Sequence, residues 1–348
     1  MLKVAIVILN WNGANYLKRF LPGVISSSDI PEVKVFVADN ASSDDSVEML
    51  ESDFPEVEVL KFDKNYGFAE GYNRAFKQIE SEYFLLLNSD VEVSTNWLDR
   101  LIGVMDSDPL IAACAPKIKS YQMKNYFEYA GAAGGFIDKY GYAFCQGRIF
   151  DALEPDYGQY DESREVFWTT GACMFVRAPL YKLVGGFDPS FFAHFEEIDL
   201  CWRLKNRGYK LMYVPESTIF HVGGGALPRT NPMKTYLNFR NSLFTLYKNL
   251  PSHRIIPVIL NRLLMDFLSM LRFLRGGKIH DIFAIFRAHW AFYTHFRRYN
   301  KFRAREKKFI SKYDHKEIYP RSIVWDYFVR KKYTFLSLKW LLKQQIKQ

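Results

Sequence analysis

VAIVILNWNG, residues 4–13, is an unbroken apolar run that stops on an asparagine and a glycine. Six apolar residues rich in Val and Ile suit a strand covered on both faces and are too few for a buried helix. The run is also too short for the apolar region of a signal peptide and has no small-residue cleavage site, so it is read as a strand rather than a leader. The pattern recurs outward from it. Val33–Ala38 ends on Asp39 and Asn40, Val57–Phe62 is a weaker third run, and Tyr83–Leu87 ends on Asn88, Ser89 and Asp90. Helix-like stretches lie between them at Ala14–Val24, Ser43–Ser52 and Phe68–Glu80, the second opened by Ser42 or Ser43 with Asp44 and Asp45. Such alternation predicts a parallel sheet with helices on its faces. Three strands then deliver polar groups to the edge where open α/β sheets bind ligands, although each loop alone could be turn chemistry.

The chain has 348 residues, enough for one large domain with an appendage or for two modest ones. With 49% hydrophobic and 17% aromatic residues and only 20 glycines, collagen-like, disulfide-scaffold and disordered classes are excluded. Cys114, Cys145, Cys173 and Cys201 form no CxxC pair, which argues for free thiols in a reducing compartment rather than a zinc cluster. The net charge of +9 hides a split. Residues 1–228 hold 21 Lys and Arg against 32 Asp and Glu, a net −11, while residues 229–348 hold 26 against 6, a net +20. An acidic globule followed by a basic piece points to a polyanionic partner: nucleic acid, anionic lipid or a phosphate-bearing substrate.

From Ser94 to Tyr160 the pattern is irregular, with glycines from Gly131 to Gly147 that suggest loops and short strands. Order returns at Glu165–Val176, in an acidic helix after Phe191 and in a strand at Lys210–Val214. Past Gly225 come long amphipathic stretches at Thr235–Leu250, Ile255–Leu274 and Ile279–Phe296, then the basic run Arg297–Lys308. Ile255–Leu274 is twenty residues long, but Asn261, Arg262, Asp266 and Arg272 interrupt it. Each is costly in the middle of a bilayer, so a helix lying on a membrane surface, or one packed on its own domain, is expected instead.

No G-x-G-x-x-G follows the first strand and no G-x-x-x-x-G-K occurs, so dinucleotide and P-loop chemistry lose their main support. Asp90, a lone carboxylate after an apolar strand, suits a hard cation such as magnesium or manganese that keeps waters and binds substrate phosphates. A loop aspartate capping its own turn would read the same way.

Five segments in order resemble the inverting nucleotide-sugar glycosyltransferases of family 2, and most of all the rhamnosyltransferase-type enzymes that build surface polysaccharide. They are VAIVILNWNG (Val4–Gly13), VADNASSDDS (Val37–Ser46), NYGFAEGYN (Asn65–Asn73), LLLNSDV (Leu85–Val91) and FFAHFEEIDLCWR (Phe191–Arg203). The resemblance spans Val4–Gly224 and implies a GT-A fold, a Rossmann-like mixed α/β sheet with flanking helices, over residues 1–225. Residues 226–348 would be a basic amphipathic helical region that associates with membrane. It further implies metal-dependent transfer of a hexosyl or deoxyhexosyl group from a nucleoside-diphosphate sugar to a glycan or polyprenyl-linked acceptor. The work would be done on the inner, cytoplasmic face of the cell membrane, with an anionic lipid surface and no nucleic acid as partner.

Residue by residue, the resemblance places Asn10, Asp39, Asn65, Gly67, Asn73, Asn88 and Ser89 on the donor, with Asp39 reading a uracil, thymine or guanine edge. Asp90 and His221 would hold the cation, His221 standing before Gly223, Gly224 and Gly225. Trp168, Thr170 and Asp199 would face the acceptor, and Glu197 beside Glu196 would be the base. Two positions depart from the family pattern: Asn88 replaces the first aspartate of D-x-D, and Glu197 replaces an aspartate. Inverting transfer independently needs a carboxylate to take the acceptor hydroxyl's proton and a cation to neutralise the leaving diphosphate. Acidic residues are also favoured at any helix start, and Asp199 can simply pair with Arg203 four residues on. Two other classes stay open: a nucleic-acid-binding protein gripping phosphates with its basic tail, and an inactive glycan-binding or scaffold module on the same fold.

Overall fold

The structure is a computed structural model that describes residues 2–223 and 231–340. It opens with parallel strands β1 (Leu2–Asn10), β2 (Val33–Asp39), β3 (Glu58–Lys61) and β4 (Ser81–Asn88), joined by α1 (Ala14–Ser26), α2 (Ser46–Asp53) and α3 (Gly67–Lys77). Next come β5 (Val91–Val93), α4 (Trp97–Ser107) and β6 (Ile111–Ser120). The glycine-rich stretch forms a small second sheet from β7 (Gly135–Asp138), β8 (Ala143–Cys145), β9 (Arg148–Ile149) and β10 (Ala152–Leu153). The chain then returns to the main sheet through β11 (Arg164–Glu165), β12 (Cys173–Arg177), α5 (Ala178–Leu183), α6 (Glu196–Asn206) and β13 (Lys210–His221). Among the described residues the main sheet runs β3-β2-β1-β4-β12-β6-β13-β11, with β5 also on β13. Because β12 is antiparallel to both β4 and β6, the sheet is mixed rather than wholly parallel.

Alternate residues explain the continuous apolar runs. Val4, Ile6 and Ile8 of β1 pack with Leu17 and Leu21 of α1 and Leu101 of α4 on one face. Ala5 and Val7 pack with Tyr72 and Phe76 of α3 on the other. Register aligns the strand ends: Asn10 faces Asp39 across β1 and β2, and Leu9 faces Asn88 across β1 and β4. β13 runs past the expected Val214, through an irregularity between Val214 and Thr218, and so carries His221 to that same side against Val91.

Beyond the sheet stand α7 (Pro232–Asn249), α8 (Ser252–Arg275), α9 (Ile279–Thr294) and α10 (Phe296–Glu306), then β14 (Ile318–Tyr319) and α11 (Ile323–Phe328). Asn231 opens α7 by accepting the Met233 N–H at 2.9 Å. The division expected near Gly224 and Gly225 lies outside the described residues. On either side of it the chain shares one core, in which Leu246, Leu250, Tyr319, Ile323 and Phe335 pack with Phe136, Phe144 and Leu204. β14 pairs in parallel with β7 of the small sheet. Part of the basic charge is likewise used inside the fold: buried Lys248 places Nζ 2.8 Å from both Asp188 and Asp199, and Arg298 reaches Asp188 at 3.1 Å.

Candidate active site

The ends of β1 and β2 lock together. Asn10 Nδ2 donates to Asp39 Oδ1 at 3.0 Å, and Ser42 donates to the same carboxylate through its N–H at 2.9 Å and its hydroxyl at 2.6 Å. Asn10 and Asp39 are both buried, and Asn10 Oδ1 has no protein partner. Gly13 permits this closeness, since a Cβ there would lie 2.4 Å from Asn10 Oδ1 and 3.4 Å from Ser89 Oγ. Trp11, next to Asn10, is 52% exposed, a flat apolar surface at the strand end.

Asn40 ties the next segment in. Its amide donates to Asn65 Oδ1 at 3.0 Å and to the Gly67 carbonyl at 3.2 Å, and its oxygen accepts the Tyr66 N–H at 2.8 Å. Gly67 has φ +73°, and a Cβ there would strike the Phe192 ring at 2.5 Å. That contact, with the Phe68 N–H donating to the Phe192 carbonyl at 2.7 Å, joins the segment of Asn65 and Gly67 to the loop before α6.

At the end of β4, Asp90 Oδ1 lies 3.1 Å from His221 Nε2, and Asp90 Oδ2 accepts the Gly223 N–H at 3.2 Å. Asn88 Nδ2 is 3.2 Å from the same His221 nitrogen. Glu128 Oε2 stands 3.2 Å from His221 Nδ1 and also accepts the Ala130 N–H. Burial works against a charged imidazole, but hydrogen bonds donated to the two flanking carboxylates outweigh it and raise His221 to about 10. Burial likewise works against charge on Asp90 and Glu128, and His221 nevertheless holds both below the usual carboxylate range. Among the described residues no three His, Cys, Asp or Glu side chains converge as a complete metal cage.

Glu196 and Glu197 open α6 after a loop in which Phe192, His194 and Phe195 take φ of 64°, 69° and 71°. These are left-handed conformations that non-glycine residues adopt only under constraint. The constraint comes from α7. Asn241 Nδ2 lies 3.0, 2.9 and 2.7 Å from the carbonyls of Phe191, Ala193 and His194, and Arg240 donates to Ser190 and Phe191 carbonyls. Both glutamates keep one buried oxygen with no protein partner. Burial and the neighbouring Glu197 charge raise Glu196 well above its ordinary value. Burial raises Glu197 to about 7, opposed by backbone N–H groups at the helix start. One turn on, Cys201 Sγ receives the Thr169 N–H at 3.4 Å. Just beyond Thr169, the Ala172 carbonyl takes the Asn88 N–H at 3.0 Å. The face of α6 that carries Glu197 and Cys201 therefore packs beside the strand end that carries Asn88 and Asp90.

Three expected residues stand apart. Trp168 is buried with Nε1 donating to the Phe136 carbonyl at 2.9 Å, and its ring lies so close to Gly135 that a Cβ there would touch it at 2.1 Å; it is a core residue and not a wall for a sugar. Asp199 is buried among Arg203 at 2.9 Å, Lys248 at 2.8 Å and Asn249 at 2.9 Å, which corrects its placement on the acceptor. Asn73 uses both ends of its amide on Tyr181 and Phe187, so it fastens α3 to the segment after α5 instead of lining the donor side. Thr170 accepts the Ala172 N–H at 3.1 Å and stays beside Asn88. Asn40 shows in the sequence only as the polar end of a strand, and Glu128 carries no sequence signal; Asn241 is marked only as an asparagine within an apolar helix.

Residues 5–178 match the sequence profile of Glycosyl transferase family 2. The chain belongs to that family. Among similar proteins, the glycosyltransferase is 27% identical over 240 residues to the N-acetylglucosaminyl-diphospho-decaprenol L-rhamnosyltransferase of Mycobacterium tuberculosis, covering 62% of this chain and 75% of that one. It is 26% identical over 223 residues to the rhamnosyltransferase WbbL of Escherichia coli, covering 63% and 83%. In fold it is similar to GalNAc-T7, solved with UDP, GalNAc and Mn2+, at a TM-score of 0.55 and 16% identity over 71% of this chain and 48% of that one. This family 2 glycosyltransferase is rhamnosyltransferase-like, with a GT-A-like sheet and a helical C-terminal region.

Proposed function

We propose that this glycosyltransferase moves a sugar with inversion from a nucleoside-diphosphate donor to a hydroxyl of a glycan, its acceptor carried on a polyprenyl lipid. The observation that carries the reading is Glu197: a carboxyl raised to about 7, with one oxygen unmatched by any protein group, at the sheet edge that also presents Asp39, Asn88 and Asp90. A general base works best with a pKa near the working pH. Glu196, held protonated by burial beside Glu197, is the weaker candidate.

Asp39, Asn10 and the loop of Asn65 and Gly67 would seat the nucleoside, and the Asn88 amide, beside Ser89, would bond a ribose hydroxyl. Glu197 would take the proton of the acceptor hydroxyl as its oxygen bonds to the anomeric carbon and the bond to the diphosphate breaks. Asp90 and His221 would hold a divalent cation, magnesium or manganese, the cation taking the place of the proton that His221 Nε2 now shares with Asp90 at 3.1 Å. Such a cation, when bound, neutralises charge on the departing diphosphate. The polyprenyl acceptor is supported by the relative named for a decaprenol-linked substrate, and it puts the work at the cytoplasmic face of a membrane.

The test is release of nucleoside diphosphate across a panel of donors with manganese or magnesium. Asp90→Ala is expected to abolish release in a protein that still melts cooperatively, at a lowered midpoint because buried Asp90 pairs with His221 at 3.1 Å. Full activity of Asp90→Ala in chelator would overturn the metal assignment, and no release from any donor would favour an inactive module.

A further inference from the structure

α8 is built inside out. Its inward face buries Arg262, whose Nη2 donates to Ser242 Oγ at 2.9 Å, and Asp266, which lies 3.0 Å from His289 Nε2. Its outward face carries Leu260, Leu264 and Phe267, spaced four and three residues apart, all about half exposed or more. α9 presents a second stripe, Phe283, Phe286 and Trp290, spaced three and four residues apart, with Trp290 73% exposed. Single exposed apolar residues are ordinary, whereas two helices packed on each other that each carry an exposed apolar stripe mark an interaction site. Charged groups inside and apolar groups outside is the arrangement expected where the outside is hydrocarbon.

The charges around the stripes choose the partner. Arg272, Arg275 and Lys278 are exposed at the turn between the helices. Of the two acids on this pair, Asp266 is buried and Asp281 accepts the Thr235 hydroxyl. No described helix is long and apolar enough to cross a membrane. A second copy docked through this same face would bring the same cations and, with Asp266 and Asp281 engaged, no free acid to meet them, whereas a layer of anionic headgroups supplies the missing charge. We infer that the outer face of α8 and α9 is the surface by which this protein lies on an anionic phospholipid bilayer, with the apolar stripes at the acyl boundary and the α8–α9 turn among the headgroups.

The inference rests on the proposed lipid-linked acceptor only for its purpose; lipid binding is measured without any sugar. Full-length protein is floated with phosphatidylcholine vesicles, with and without phosphatidylglycerol, and its oligomeric state is read in lipid-free buffer. Wild type is expected to float with the anionic vesicles and to be released in part by high salt. Phe286→Glu with Trp290→Glu should lower partitioning at least about tenfold, and Arg272→Glu with Arg275→Glu and Lys278→Glu should lower it about tenfold on anionic vesicles alone. The milder Trp290→Ala, at an exposed site that leaves the fold intact, should lower it in the same direction. Unchanged flotation of these variants, indifference to lipid charge, or a wild-type dimer that the glutamates split without affecting flotation would overturn the inference. Nucleoside diphosphate release with a soluble acceptor is read on the same samples, so loss of catalysis with flotation intact would count against the proposed reaction and not against this surface.

Discussion

Two adjacent carboxyl groups at the start of α6 differ in one respect that matters for catalysis. Glu196 carries the repulsion of its neighbour on top of burial, whereas Glu197 is eased by backbone N–H groups. A carboxyl raised to about 7 is protonated and useless as a base below that pH and ionised above it. Turnover per donor bound should therefore climb with pH through about 7 and then level, with Glu196 and the buried Cys201 thiol as the neighbouring titratable groups. Glu197→Gln should flatten that limb and lower turnover about a hundredfold or more, with calorimetry showing donor affinity preserved. A larger loss from Glu196→Gln would reverse the assignment. At this scale the sequence was readable where a strand ended on a polar side chain, as at Asn10, Asp39 and Asn88. It was silent for Glu128, because nothing in an irregular stretch announces that a carboxylate will fold against a histidine 93 residues later.

The loop from Phe192 to Phe195 and the helix α7 act as one unit, although they lie far apart in the chain. Three left-handed non-glycine residues store strain that Asn241 holds in place through carbonyls of that loop. Asn241→Ala should let the loop relax and expose Glu197 to water. The expected result is a turnover loss of about tenfold or more with little change in donor affinity, and an acid limb moved below 7 toward the ordinary carboxyl range. A purely structural role would lower stability without moving that limb. Asp199 sits at the next joint, and Asp199→Ala would leave buried Arg203 without its carboxylate and Lys248 with Asp188 alone. A loss of about 3–5 kcal/mol in urea denaturation is expected. Four-residue spacing alone predicts the pairing of Asp199 with Arg203, but Lys248, 49 residues on, is visible only in three dimensions.

Read as composition, the basic third of the molecule looks like an appendage, because charge asymmetry says nothing about what the cations touch. Helix existence was legible there from periodicity, and so was the absence of a clean membrane span. Which face turned inward was not, since Arg262, Asp266 and Asn241 lie on the buried side against the usual pattern. A chain stopped before Pro232 would strip Leu246, Leu250, Ile323 and Phe335 from the core that they share with Phe136 and Phe144. Such a truncation should fail to unfold cooperatively and should aggregate, as light scattering and calorimetry would report. A soluble, cooperatively melting fragment would show that the helices are separable after all.

The pairing of β14 with β7, 181 residues apart, bears on how the protein is made. A ribosome releases the chain from its N-terminus, so the parallel strands that carry Asp39 and Asp90 emerge and can pack early. Asn241 follows later, and Ile318 and Tyr319 come near the end of the described chain. A nascent polypeptide can thus hold Asp39 and Asp90 on packed strands before the clamp on the Glu197 loop exists, and the edge of the small sheet stays open until Ile318 and Tyr319 have left the ribosome. The helices that carry the exposed apolar stripes emerge between these two events, so the small sheet is not completed without them.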